Sequence, residues 1–165
     1  MEFFGKRGLF VEAFEVEHRI RSLGYTVIER RRKLKPEFTS LPGVELGRLR
    51  REGAALEDEV YEPLITFIGD CTGRTILEQA HLWQSPVLVL EATFLHPDEH
   101  ENAARYGHTH LADIAEALER HGDSSRVQHL VLKHFSLKYD ADEIRRTVAK
   151  VVPERFQSRI QLLIE

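Results

Sequence analysis

Apolar runs rich in β-branched and aromatic residues recur at Leu9–Val16, Tyr25–Glu29, Leu64–Gly69, Val87–Thr93, His129–Phe135 and Ile160–Ile164, and each predicts a strand. Between them the apolar positions change to helical spacing. Val44–Arg51 and Thr75–Gln79 read as short helices. Leu111–Arg120 places Leu111, Ile114, Ala115 and Leu118 on one face, and Ala141–Val151 does the same with Ile144, Val148 and Val151. Asp140 is a suitable N-cap for the last of these, while Gly122 and Pro153 are suitable stops. Strands alternating with helices predict an α/β fold over residues 1–165, read as one domain. Lys33–Gly43, with Pro36, Pro42 and Gly43, is the least regular stretch.

Composition narrows the class without naming it. Apolar residues make up 42% and charged residues 30% of the 165, which suits a chain with a packed core and not a disordered one. No apolar run is long enough to span a bilayer, and the first residues do not read as a secretory signal, so the expected setting is the cytoplasm, away from membranes. Cys71 is the single cysteine, which excludes an internal disulfide and a cysteine-based zinc site. The net charge of −4 is unevenly placed. From Arg30 to Arg51, eight Lys/Arg face only Glu37 and Glu45, so this stretch reads either as a phosphate-contacting surface or as a solvated face.

The residues suited to chemistry stand at the ends of predicted strands. Leu64–Gly69 is followed by Asp70, Leu130-Val-Leu-Lys ends in His134, and Phe14-Glu-Val-Glu ends in His18. Strand ends in α/β sheets fix a side chain while the following loop opens to solvent, and imidazole with carboxylate is a donor set for zinc or a similar metal. His81, His96, His100, His121 and His129 lack such placement and read as structural or solvated, Cys71 as a small packed side chain, and Tyr106 as a packing residue that could line a pocket beside His108.

Five segments in order carry a family resemblance. They are Val11–Tyr25 with His18, Phe67-Ile-Gly69-Asp70, Val87-Leu-Val-Leu-Glu91-Ala92-Thr93-Phe94, Gly107-His108-Thr109, and Leu130–Tyr139 with His134. Together they resemble the ribonuclease Z (tRNase Z) family of the metallo-β-lactamase fold. The resemblance implies part of an αββα sandwich, with His18, Asp70 and His134 as ligands of two zinc ions and Asp70 bridging them. It also implies that His108, oriented by Glu91, acts as proton donor in phosphodiester hydrolysis of RNA, by family the 3′ processing of precursor tRNA.

The match departs from the family in three places. The family's His-x-His-x-Asp-His motif has no counterpart before His18, Leu90 stands where many members have a histidine before the glutamate, and the connection after Tyr25 is short for a substrate-gripping arm. The expectation is therefore a C-terminal portion of the fold and an incomplete catalytic unit, either a fragment of a longer enzyme or one that associates with itself or with a separately encoded N-terminal partner. A non-catalytic interaction domain and a small-ester hydrolase of the arylsulfatase-like kind are the alternatives.

Overall fold

The computed structural model describes residues 8–164. Its elements run β1 (Leu9–Val16), β2 (Ser22–Leu34), α1 (Gly43–Arg51), β3 (Glu57–Ile68), α2 (Gly73–Glu78), β4 (Val87–Glu91), α3 (His100–Tyr106), α4 (Leu111–His121), β5 (His129–Lys133), α5 (Ala141–Val151), α6 (Glu154–Gln157) and β6 (Ile160–Leu162). The six strands form one sheet in the order β1-β2-β3-β4-β5-β6. β1, β2 and β3 pair antiparallel, whereas β3, β4, β5 and β6 run parallel through helical crossovers, as parallel pairing requires.

The two faces of the sheet differ because side chains alternate along each strand. One cross-strand row, Thr26, Thr66, Leu88 and Leu130, is buried against the helices. Its two threonines hydrogen-bond each other at 3.0 Å, and Thr66 meets Ser85 at 2.7 Å, so the polar atoms in this row are satisfied. Leu111, Ile114, Ala117 and Leu118 of α4 and Ile144 and Val148 of α5 close the core from above, together with Trp83 and Phe156. The opposite face carries the rows Tyr25, Phe67, Val89, Val131 and Val27, Ile65, Val87, none of them fully buried, with Tyr25 and Phe67 exposed.

Asp140 caps α5 as its position predicts, its Oδ1 accepting from Glu143 N at 2.7 Å. Three features depart from the expectation. His100–Tyr106 is helical although no apolar stripe marks it, because its burial rests on Ala103 alone. Glu154–Gln157 adds a single turn before β6. The third is the largest: the strand expected at Tyr25–Glu29 extends to Leu34 and pairs with β3 as far as Glu57. The connection after Tyr25 is thus a long two-stranded ribbon tipped by α1, which has no buried residue.

The ribbon also resolves the basic stretch. Lys33 and Arg31 pair with Glu62, Arg32 with Glu59, Lys35 with Asp58, Arg50 with Glu57, and Arg48 with Glu45 and Glu52. The Lys33 ammonium holds the Glu62 carboxyl below the usual carboxylate range, and the Glu45 carboxyl is held down by Arg48. From Arg30 to Glu62 the eight bases face seven acids, so a run that is strongly positive in sequence is nearly neutral once folded.

Candidate metal centre

Parallel pairing carries β3, β4 and β5 to one edge of the sheet, where their C-terminal ends lie side by side. Asp70 follows β3, Glu91 ends β4 and His134 follows β5. Because β1 runs parallel to β3, His18 leaves the sheet at the same edge. His108 arrives from another direction, after Gly107 ends α3 in the left-handed conformation (φ 83°).

Asp70, His108 and His134 each place a ligand-type atom within 4.8 Å of those of the other two. His134 Nδ1 lies 3.7 Å from Asp70 Oδ1, and the His108 and His134 rings stack at 5.7 Å. His18 is not in this group of three. Its ring stands 5.3 Å from that of His108, and its Nδ1 sits 2.7 Å from Gly107 O, to which it donates.

Glu91 is the fixed point beneath the cluster. Its side chain is fully buried, and Oε1 accepts from His108 Nδ1 at 2.9 Å and from Cys71 N at 3.0 Å. Oε2 accepts from Thr93 N at 3.2 Å and from the Thr93 hydroxyl. Thr93 Oγ1 also meets His134 Nδ1 at 3.0 Å. A hydroxyl has one proton, and here the carboxylate takes it, so His134 Nδ1 is the donor toward Thr93. All three imidazoles therefore spend Nδ1–H on the protein, on a carboxylate, a hydroxyl and a carbonyl, which leaves each Nε2 lone pair available. Metal-binding histidines are held in this way, and His134 and His18 with the Asp70 carboxylate form a donor set that fits zinc, while the His108 ring, tied to Glu91, stands beside it.

Two backbone positions show how tightly the arrangement is fixed. His134 is the one non-glycine residue with positive φ among those described, at 59°. Such a conformation is held at a cost by its surroundings and is found preferentially at functional sites. At Gly107, a Cβ would stand 2.8 Å from His18 Nδ1 and 3.0 Å from Arg19 N. Gly107→Ala is expected to lower stability by about 1–2 kcal/mol, since the left-handed backbone strains any Cβ, and to push the His18 ring off its carbonyl. Loss of the downfield His18 Nδ1–H resonance would check it; an unshifted resonance in a normally stable variant would contradict it.

Cys71 lies under the site, fully buried, and desolvation pushes its thiol up to about 12, against the opposing Thr109 contact. It is expected to stay unlabelled by iodoacetamide at pH 8 in the folded chain and to react on unfolding, as mass spectrometry of the native and denatured protein would show. The remaining histidines have ordinary partners. His96 meets Glu143, His100 meets Asp113, His121 meets Leu77 O, His129 meets Gln161, and His81 packs edge-on against Phe14. Buried His110 accepts from Ala112 N and donates to the His96 carbonyl, with Nε2 2.8 Å from that oxygen. Sequence reasoning assigned no role to Thr93, which ties Glu91 to His134. The signal was its place two residues after Glu91, where a strand-end hydroxyl can reach back to the carboxylate.

A sheet with helices on one face, an apolar second face, and histidines and a carboxylate converging at the strand ends defines the class: this is part of a metallo-β-lactamase-type αββα sandwich. A metallo-β-lactamase-fold protein from Bacillus subtilis, YhfI, superposes with a TM-score of 0.54 at 10% identity, covering 93% of this chain and 46% of that one. The human short-form tRNase Z superposes with a TM-score of 0.51 at 21% identity, covering 99% and 44%.

In sequence, the chain is similar over most of its length to curated tRNase Z and ribonuclease Z proteins. It is 34% identical over 155 residues to tRNase Z TRZ1 of Arabidopsis thaliana, covering 92% of this chain and 54% of that protein. It is 33% identical over 151 residues to the ribonuclease Z of Streptomyces avermitilis, covering 82% and 47%. The chain thus spans about half the length of the curated relatives it matches. No protein-family model matches it. No helix among the described residues is long and apolar enough to cross a membrane.

Proposed function

We propose that this chain supplies the strand-end half of the site of a zinc-dependent phosphodiesterase acting on RNA, its relatives being named tRNase Z and ribonuclease Z, and by the family resemblance an endoribonuclease of tRNA 3′ processing. The observation that carries the reading is the group of Asp70, His108 and His134 within 4.8 Å, held by buried Glu91 and Thr93. Asp70 and His134, with His18 at the margin, would hold the metal. When bound, zinc supplies Lewis-acid charge to a phosphodiester and activates water.

The chain's own residues do the rest. His108 donates Nδ1–H to Glu91, which fixes the ring, and its Nε2 is the atom from which a proton passes to the leaving oxygen. Glu91 sets the ring plane and the tautomer of His108. Thr93 keeps His134 in the tautomer that presents Nε2.

Three donors hold one ion weakly, so the expected result of equilibrium dialysis against zinc is at most about one equivalent with modest affinity, and full loading requires donors from outside these residues. Absence of zinc above the level of a histidine-poor control protein would sink the reading. Among zinc-loaded reactions, trimming of a precursor tRNA without hydrolysis of an aryl sulfate supports the RNA substrate, and the reverse selects the small-ester alternative.

One observation favours a second reading alongside the first. The apolar rows Tyr25, Phe67, Val89, Val131 and Val27, Ile65, Val87 lie on a sheet face that no described element covers. A contiguous apolar face of this kind is an association surface. A second copy or a separate partner seated there would complete a sandwich. Light scattering with chromatography tests it, and a monodisperse monomer at tens of micromolar would argue against self-association.

A further inference from the structure

Beside the His108 ring a groove of about 440 Å³ is lined by His18, Arg19, Thr93, Phe94 and Tyr106. Tyr106 is 44% exposed although aromatic, and its ring lies nearly parallel to that of Phe94, at 19° with centroids 6.5 Å apart. Phe94 in turn meets His108 edge-on at 6.2 Å, so the aromatic pair begins one ring away from the metal group. The cations here differ from those of the ribbon. Arg105 lies over Tyr106 at 5.8 Å, Arg19 lines the groove, and among the described residues neither makes an ion pair, whereas most of the ribbon's bases are matched by acids. Lys138, over Phe94 at 5.6 Å, is held by Glu99.

We infer that Phe94 and Tyr106 form a stacking platform for a nucleobase next to the reacting phosphate, with Arg19 and Arg105 attracting the single-stranded backbone. The inference rests on the RNA reading above and adds to it the part of the substrate that this groove recognises. A flat ring pair made of exposed Tyr106 and half-buried Phe94, with unpaired guanidinium groups beside it, suits a base and its phosphate, because every base offers a π-face and guanidinium both stacks and neutralises. Recognition by stacking tolerates sequence, so the groove selects unpaired RNA and not a particular base.

The test is equilibrium binding of the 165-residue chain, in chelator so that no metal contributes, to fluorescein-labelled hexauridylate and to a labelled abasic ribose-phosphate of the same length. Tyr106→Ala is expected to weaken hexauridylate binding by about 5- to 100-fold, the range of one lost stack, and to change abasic binding less than about 2-fold. Tyr106→Phe is expected to restore the parent affinity. Arg19→Ala is expected to weaken both probes together and to reduce the salt dependence by about one phosphate contact.

Equal losses on the two probes, no loss with Tyr106→Ala, or no hexauridylate binding by the parent chain would each overturn the platform. Unchanged RNA binding in Tyr106→Ala leaves the phosphodiesterase reading standing. A base-dependent Tyr106 effect with no zinc retained leaves the platform standing without it.

Discussion

His134→Ala is expected to lower zinc affinity by at least about 100-fold with little change in the unfolding midpoint. The magnitude follows from comparison: losing only an outer partner of a ligand commonly costs 10- to 100-fold, and His134 is here a donor itself. The midpoint should hold because the side chain is half exposed and packs no core. Alanine at φ 59° inherits the backbone strain, so His134→Asn, which tolerates that conformation, is the matched control: it too should lose zinc, at a normal midpoint. Asp70→Asn should behave likewise, since a carboxamide lacks the charge. Calorimetric zinc titrations decide the matter, and unchanged affinity in all three variants would remove these residues from any metal site.

Glu91→Ala should be destabilising as well as inactivating. The buried carboxylate satisfies Cys71 N, Thr93 N, the Thr93 hydroxyl and His108 Nδ1 at once. Alanine would strand these donors without water, an expected loss of about 3–5 kcal/mol, or a midpoint lowered by roughly 6–20 °C for a chain of this size. Glu91→Gln keeps the shape and one acceptor, so it should unfold closer to the parent. His108 Nδ1 and Thr93 N donate to opposite oxygens of Glu91, and a carboxamide has only one acceptor oxygen for the two, so any zinc-dependent phosphodiesterase rate should drop about 10- to 100-fold. Thermal melts of the two variants separate the roles. A Glu91→Ala chain that melts with the parent would mean that the carboxylate is not the support the hydrogen bonds indicate.

Much of the site was legible because strand ends are legible. Gly69-Asp70 and Lys133-His134 follow short apolar runs whose β-branched and aromatic content reads as strand, and the five ordered motifs supplied the resemblance to ribonuclease Z. The sequence could not say which nitrogen of each histidine is free, because that depends on partners distant in the chain: Glu91 for His108, Gly107 for His18 and Thr93 for His134. Nor could it separate His18 from the group of Asp70, His108 and His134. Tyr106 was legible as a residue that could line a pocket beside His108, as it does, but its parallel pairing with Phe94 was hidden, since only folding brings the two rings together.

By itself the sequence determined the alternation of strands and helices, the order of the chemistry-bearing residues and the absence of a cysteine site, all of which are properties of local pattern. Only the tertiary structure decided the charge of the ribbon, the apolar sheet face that no described element covers and the geometry of the candidate metal group Asp70, His108 and His134. Each depends on which residues from distant parts of the chain come together: Glu57–Glu62 against Arg31–Lys35, four strands in one register, and a buried carboxylate shared between loops from both sides of the sheet edge.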